Sequence, residues 1–190
     1  MKIRAILVFI ALVCCCRLSA QHVGVKTNLL YDATATANLG FEFALAPKWT
    51  LDISGNVCAW NLGDIRTRHW LAQPEARYWF CERFNGHFLG IHGLGGQFNF
   101  GNLPANIPLL GLKDLKDYRY QGWMYGGGIA YGYSWILSKH WNLEAEIGVG
   151  YIFSKSDKYP CAECGTVLEK DIKKHYIGPT KIALNIEYLF

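Results

Sequence analysis

Hydrophobic and polar residues alternate with a period of two along most of this chain. The clearest case is KIALNIEYLF at 181–190, where every even-numbered residue is apolar or aromatic and most odd-numbered residues are small, polar or charged. Successive side chains of a β-strand point to opposite faces, so this segment predicts a strand with one apolar face. We find no sustained apolar stripe at helical spacing in the rest of the sequence.

The same alternation recurs in seven earlier segments, which gives eight predicted strands. Their ranges are 23–31, 37–45, 49–60, 67–80, 87–98, 121–137, 141–153 and 181–190. The connections alternate in length, with tight turns at 46–48, 81–86 and 138–140 and longer connections at 61–66, 99–120 and 155–174. Outer-membrane barrels combine short periplasmic turns with longer external loops, and an even strand number places both ends of the barrel on the periplasmic side.

The two faces of these strands predict which solvent surrounds the sheet. The apolar faces carry aromatic residues near the strand ends: Trp49, Phe80, Trp135, Trp141 and Tyr188 near the short turns, and Tyr31, Trp60, Trp70, Trp123 and Phe153 near the long loops. Two aromatic girdles around an aliphatic band are typical of a lipid-facing surface. A soluble lipocalin-like binder would instead turn its apolar faces inward.

Closure of the sheet follows from the predicted membrane location. Unpaired backbone groups are too costly in hydrocarbon, so the first strand is expected to pair with the eighth. We therefore expect residues 21–190 to form an all-β domain, an eight-stranded closed antiparallel transmembrane β-barrel of up-and-down topology.

Residues 1–20 have the pattern of a secretory signal peptide. Lys2 and Arg4 precede the apolar run AILVFIALV, and Leu18 and Ala20 occupy the positions of a cleavage site before Gln21. A membrane anchor is the alternative, but the run is short for ~30 Å of hydrocarbon. Lipoprotein processing at one cysteine of the CCC at 14–16 is another alternative, and it lacks the small residues expected just before the cysteine. Cleavage and export to the outer membrane are the favoured prediction.

Composition and charge narrow the function classes. The 190 residues include 18% charged and 15% aromatic residues and 20 glycines, which fits neither a disordered chain nor a helical bundle. The net charge of +4 is modest, and the basic residues are scattered except for KDIKK at 170–174. A nucleic-acid-binding protein would present a basic face, so no nucleic-acid partner is expected.

Two resemblances support this interpretation. The last strand resembles the assembly signal of bacterial outer-membrane barrels, in which a terminal aromatic follows alternating apolar residues, here Ile186, Tyr188 and Phe190. The stretches VKTNLLYDATATANLGFEFALAPKWTLDISG, RHWLAQPEARYWF and GIHGLGG resemble a family of small exported proteins of unknown function from Gram-negative anaerobes, often encoded near fimbrial genes. That resemblance implies a barrel fold and a fimbrial link, and it supplies no catalytic or binding residues.

The predicted inward face collects ten charged or titratable residues: Lys26, Glu42, Asp52, His69, Glu75, Arg77, Glu144, Glu146, Lys181 and Glu187. Buried charges persist when they are paired, so a salt-bridge network filling the interior is the favoured interpretation. A lumen that conducts protons or small ions is a second possibility. Acid–base chemistry is a third, because Glu144 and Glu146 would lie roughly 7 Å apart on one face.

Cysteines and histidines offer weaker signals. The CAEC segment suggests a loop disulfide between Cys161 and Cys164; a zinc ribbon would need a second cysteine pair, and a redox motif would need a thioredoxin-like setting. Free thiols or a weak metal site helped by Glu163 or His175 remain alternatives. His69, His92, His140 and His175 are the candidates for a catalytic rim, but no Ser/His/acid spacing supports one.

The loop at 99–120 is unusually apolar, with Leu103, Ile107, Leu109, Leu110 and Leu112. It either caps the mouth of the barrel or offers a partner an apolar patch. The sequence as a whole predicts a non-enzymatic barrel without cofactor or metal, whose contacts are lipid, the barrel assembly machinery and a surface or fimbrial protein at 99–120 or 155–174. A narrow pore through the charged lumen is the alternative function.

Overall fold

The computed structural model describes residues 22–103, 107, 112, 114–160 and 165–190. The predicted signal peptide at 1–20 and the predicted disulfide between Cys161 and Cys164 lie outside these described residues. Cys58, which is buried, and Cys81, which is exposed, are both free thiols.

The described chain is built almost entirely of β-strands. They are β1 Val23–Asn28, β2 Ala37–Ala46, β3 Trp49–Cys58, β4 Asn61–Leu62, β5 Ile65–Trp79, β6 Gly86–Gly101, β7 Arg119–Ile136, β8 Trp141–Tyr159 and β9 Glu169–Leu189. One short helix, α1 Leu29–Ala33, follows β1. No helix in the described ranges is long and apolar enough to cross a membrane.

The eight long strands form a closed ring. Each pairs antiparallel with its neighbours in chain order, β3 pairs directly with β5, and the two-residue β4 adds to the end of β5. β1 pairs with β9, with Val25 opposite Tyr188 and Thr27 opposite Ile186. The predicted all-β class, the antiparallel order and the pairing of the first strand with the last are therefore confirmed.

The first strand is shorter than predicted. It ends at Asn28 instead of residue 31, because the Asn28 side chain accepts a hydrogen bond of 3.1 Å from the backbone N–H of Leu30 and caps α1. Tyr31, predicted as a girdle residue at a strand end, therefore lies on α1. Leu29 and Tyr31 continue the apolar alternation of β1, which is why the pattern did not reveal the change of structure.

The predicted loop at 155–174 is largely strand. β8 continues to Tyr159 and β9 begins at Glu169, so Lys155 lies opposite Lys173, and the pairing continues to Lys158 opposite Glu169 after a register shift. The predicted loop at 99–120 is likewise shortened, since β6 ends at Gly101 and β7 begins at Arg119. β7, β8 and β9 contain 18, 19 and 21 residues and extend well past the 10-residue β2 and β3.

Large apolar side chains cover the outside of the ring. Exposed examples from different strands are Phe41, Ile53, Leu89, Ile91, Ile129, Ile147, Val149 and Ile182. Aromatic pairs lie towards both ends of the strands, including Trp49 with Tyr78 and Trp141 with Tyr188 near the short turns, and Trp123 with Phe153 near the long connections. Most buried residues on the described strands are polar or charged, so the ring encloses a polar interior.

Candidate functional site: an interior charge network

Charged side chains from six strands meet in the middle of the ring. Nine of the ten predicted inward residues are buried there: Lys26, Glu42, Asp52, Glu75, Arg77, Glu144, Glu146, Lys181 and Glu187. They come from β1, β2, β3, β5, β8 and β9, and each occupies the inward position of the strand alternation. The structure therefore brings these nine residues together in the interior and leaves out His69.

Arg77 is the centre of the network and is fully buried. Its Nε donates to Glu75 Oε1 at 2.6 Å, and its Nη1 donates to Glu42 Oε2 at 2.6 Å and to Glu144 Oε2 at 2.8 Å. Its Nη2 donates to Glu146 Oε2 at 2.7 Å. The planar guanidinium has five N–H donors, which explains how one side chain holds four carboxylates, one from its own strand and three from β2 and β8.

Two lysines complete the cationic part of the network. Lys26 Nζ lies 2.6 Å from Glu42 Oε2 and also contacts Asp52. Lys181 Nζ lies 2.7 Å from Glu75 Oε2 and 3.0 Å from Glu146 Oε1. Each lysine thus bridges carboxylates of different strands, which ties the wall of the ring together across its interior.

Carboxylates outnumber fixed cations here, six to three among the nine residues. Glu42, Glu144 and Glu187 each place a carboxylate oxygen within 4.8 Å of the others. Arg77 and Lys26 each contact Glu42 and Glu144, so these two carboxylates are already paired with fixed cations. Glu187 is fully buried, and neither of its oxygens has a hydrogen-bond partner.

Gly24 makes room for Glu187. A Cβ atom added at Gly24 would overlap the Glu187 carboxylate, since that group lies directly over the glycine. Gly24 is opposite Glu42 in the ladder between β1 and β2. The missing side chain therefore lets Glu187 reach towards Glu42 across β1.

The predicted inward histidine, His69, is outside this network. The His69 Nδ1 lies 2.7 Å from the backbone carbonyl oxygen of Thr67, and the His69 ring packs on Phe100. His92, predicted as a rim residue, is buried instead, with Nε2 2.9 Å from Thr180 Oγ1 and Nδ1 3.9 Å from Glu75 Oε2. The glycines around His92 weakened the alternation there, so the pattern could not assign its face.

A hydroxyl, a base and an acid follow one another here, as in a catalytic triad: Thr180, His92 and Glu75. The 3.9 Å between Glu75 and His92 exceeds hydrogen-bonding distance, and the Glu75 oxygens are occupied by Arg77 and Lys181. The carboxylate therefore does not orient the imidazole as a catalytic relay requires. His140 and His175, the other rim candidates, contact the Leu189 carbonyl and the Phe153 ring respectively.

Aromatic side chains close the interior at the short-turn end. Trp79 and Phe88 are fully buried, with ring centroids 4.7 Å apart, and Phe84 packs beside Trp79. The Trp79 Nε1 donates to Thr50 Oγ1 at 2.9 Å, and the Arg77 guanidinium lies 4.5 Å from the Phe88 ring centroid. The sequence pattern did not reveal these inward aromatics, although Trp79 has the same odd-numbered parity as Glu75 and Arg77.

An apolar cluster fills the opposite end of the ring. Its buried members are Leu94, Phe98, Leu112, Leu115, Tyr120, Met124 and Ile152, and Leu103 and Ile107 pack against them. Of the two interpretations of the apolar 99–120 segment, these described residues favour a cap on the interior; Leu109 and Leu110 lie outside the described ranges. Beside the network, a polar cavity of about 20 Å³ lined by Lys26, Asp52 and Arg77, among others, has room for about one water molecule.

Comparison with known families agrees with one part of the resemblance, membership of a family of unknown function. A family described as "Protein of unknown function (DUF3575)" matches residues 6–190. The chain belongs to the DUF3575 family. The match covers every strand described above, so the ring and its network together constitute the DUF3575 domain. No curated protein matches this DUF3575 chain.

Proposed function

We propose that this chain is a non-enzymatic outer-membrane β-barrel that acts as a structural or binding protein at the cell surface. The observation that carries the proposal is the inversion of its two faces, with charged residues such as Arg77 and Glu144 fully buried and aliphatic residues such as Ile91 70% exposed. A water-soluble protein rarely exposes a continuous apolar belt of this extent. In hydrocarbon the same belt is the favourable outer surface.

The dimensions of the belt support a membrane location. Trp70 and Phe80 are ten residues apart, which corresponds to about 33 Å along an extended strand. With the ~40° tilt usual for such strands, this distance becomes about 25 Å along the barrel axis, the height of the apolar band of outer-membrane barrels. A closed ring also leaves few unpaired backbone groups facing lipid.

A filled interior supports a structural or binding role over conduction. The aromatic plug of Trp79, Phe84 and Phe88, the charge network and the apolar cap follow one another along the axis of the ring. Eight strands leave an interior that side chains can fill. An ion would have to displace the buried salt bridges of Arg77 to pass, which is costly in a low-dielectric interior.

The extensions of β7, β8 and β9 supply the binding surface in this proposal. They carry Lys158, whose Nζ lies 3.6 Å from the ring centroid of Tyr118 just before β7, and the half-buried Tyr159, whose ring centroid lies 4.0 Å from the guanidinium of the buried Arg119. A surface or fimbrial protein is the proposed partner, on the basis of the family resemblance. At the other end, the outward rings of Tyr188 and Phe190 lie 4.9 Å apart, available to the barrel assembly machinery.

Heat-modifiability tests the barrel. Outer-membrane fractions containing the chain are run on a denaturing gel with and without boiling, and we expect a compact band that shifts when boiled. Purified protein in a planar bilayer should give no steady single-channel conductance. A soluble periplasmic chain without a shift would contradict the membrane location, and defined conductance steps would contradict the filled interior.

A further inference from the structure

The strand pairing of the ring is interrupted at one place between β1 and β9, which we call the seam. β9 runs from Glu169 to Leu189, but it pairs with β1 only from Asn185 onwards, because β1 ends at Asn28. Beside the preceding part of β9 the chain forms α1 instead. Asn28 partly bridges the junction, since its Oδ1 accepts from the Leu184 backbone N–H at 3.3 Å.

A cleft of about 290 Å³ opens at this seam, between α1 and β9. Its walls include the apolar side chains of Leu30, Pro179 and Ile182, and its other lining residues, Tyr31, Thr34, Thr180 and Lys181, are polar or carry a hydroxyl group. Small-molecule sites typically combine apolar walls with a few polar groups and start at ~300 Å³. The cleft therefore has the size and lining of a site for one slender amphiphile.

The cleft opens within the apolar belt. Ile182 lies opposite Ile147 and Pro179 opposite Val149 in the ladder with β8, and Ile147 and Val149 are among the exposed apolar residues of the ring. A ligand entering from the side would therefore come from the surrounding lipid. This step rests on the membrane location proposed above.

The polar groups of the cleft select the chemistry of the ligand. Lys181 is bound to Glu75 and Glu146, and Thr180 Oγ1 is hydrogen-bonded to His92, so both belong to the buried network. Tyr31, Lys181 and Ile182 also line the interior cavity, which makes them the partition between the cleft and the interior. Because carboxylates outnumber cations in that interior, a neutral ester is favoured over a carboxylate or phosphate at this position.

We propose that the cleft binds one acyl chain of a membrane lipid, with the ester group of that chain near Thr180 and Lys181. The chain lies against the apolar side chains of Leu30, Pro179 and Ile182. Such a ligand also shields the backbone of β9 where β1 does not reach it, which matters in hydrocarbon.

Photo-crosslinking tests this assignment on the full mature chain inserted in phosphatidylethanolamine vesicles. The probe is a phosphatidylethanolamine whose acyl chain carries a diazirine, and adducts are mapped by peptide mass spectrometry. We expect adducts concentrated on 29–34 and 177–183. Ile182→Trp, which fills the cleft, should reduce them by about tenfold, while Ile129→Trp on the outer face of β7 should leave them unchanged; tenfold is the effect of ~1.4 kcal/mol in binding.

Two outcomes would contradict acyl-chain binding in the cleft. Both can be distinguished from a result that contradicts the membrane location. Adducts spread evenly over the belt, including peptides around Ile91 and Ile129, would mean that the cleft holds no particular lipid. Equal adduct loss in both variants would mean that the effect does not arise at the cleft. A chain that never enters the vesicles and shows no heat-dependent gel shift would instead contradict the proposed function itself.

Discussion

Arg77 is the single residue on which most of the interior depends. It is fully buried and contacts carboxylates of Glu42, Glu75, Glu144 and Glu146. Buried ion pairs add little net stability over an apolar core, but removal of one partner leaves uncompensated charges in a low dielectric. The interior is therefore sensitive to loss of its central cation in a way that a surface salt bridge is not.

Arg77→Met should lower the free energy of unfolding by ~3–5 kcal/mol, the usual cost of breaking a buried ion pair. The measurement is urea unfolding of the chain in lipid vesicles, followed by tryptophan fluorescence. Arg68→Met is the matched control, because Arg68 is an exposed residue of the same strand and should change stability by less than ~0.5 kcal/mol. Equal losses in both variants would contradict the central role of Arg77.

Gly24→Ala should destabilise the chain by ~1–3 kcal/mol, because the new methyl group overlaps the Glu187 carboxylate. Gly55→Ala on β3 is the control, since a Cβ there meets no atom within 4 Å. The double variant Gly24→Ala, Glu187→Ala should lose less than the sum of the single losses, as the clash is then absent. Additive losses measured by the same unfolding assay would show that the two positions are independent.

The sequence located the network residues because a regular strand reveals the face of each side chain. It placed Glu75 and Arg77 correctly for that reason, and it misplaced His92 because the glycine-rich β6 has no clear apolar face. It also could not show that Trp79 and Phe88 turn inward, since inward aromatics depend on how the ring is filled at one end. Contacts such as those of Arg77 across the ring depend on closure, which alternation alone does not describe.

At the scale of elements, the extended hairpin of β8 and β9 departs most from the expectation. The predicted loop at 155–174 is polar on both faces, so it lacks the alternation by which the other strands were recognised. Its ladder is stabilised instead by contacts such as that between Lys155 Nζ and Asp171 Oδ1 at 2.7 Å. α1 was missed for the opposite reason, since its apolar residues continued the strand pattern beyond the Asn28 cap.

We expect Asp171 to make the stability of the hairpin formed by β8 and β9 depend on pH. The hydrogen bond from Lys155 lowers the pKa of the Asp171 carboxyl relative to its unfolded value of about 3.9. A lowered folded-state pKa stabilises the hairpin above the unfolded pKa, and this contribution is lost as the pH falls through the folded pKa. Amide exchange protection at 155–159 and 169–173 should therefore decrease between about pH 5 and pH 2.

Asp171→Asn should reduce this protection already at neutral pH and weaken its dependence on pH. Asp64→Asn, at an exposed aspartate before β5, is the control and should leave hairpin protection unchanged. Protection factors, which correct for the intrinsic pH dependence of exchange, are the quantity to compare. A hairpin that loses protection identically in the wild type and Asp171→Asn would contradict a role for this carboxyl.

The molecule as a whole has its polar residues inside and its apolar residues outside. In the proposed membrane location, closure of the ring would remove most unpaired strand edges and would shield the charge network from lipid. The all-β class, the strand order and the inversion of the faces followed from the period-two pattern. The extent of the cap and of the seam at α1 did not, because both depend on tertiary contacts.

Ile91→Arg should cost ~2–4 kcal/mol of unfolding free energy in vesicles, because Ile91 lies near the middle of the proposed lipid-facing belt. Leu168→Arg, at an exposed leucine just before β9, should have little effect. Both substitutions place a charge at an exposed apolar position, so a water-soluble ring would tolerate them equally. Equal stability of the two variants in vesicles would contradict the proposed depth of Ile91.

The pairing of β1 with β9 also has a consequence for the order of folding. Hairpins such as β8 with β9 join residues close in sequence, whereas Val25 and Tyr188 come from opposite ends of the ring's sequence. Contacts of long sequence separation form slowly, so the ring is expected to close last. Until then the growing sheet has two open edges that can pair with other chains. Closure therefore has to be faster than intermolecular pairing, and a host assembly factor that holds these two edges would favour the native product.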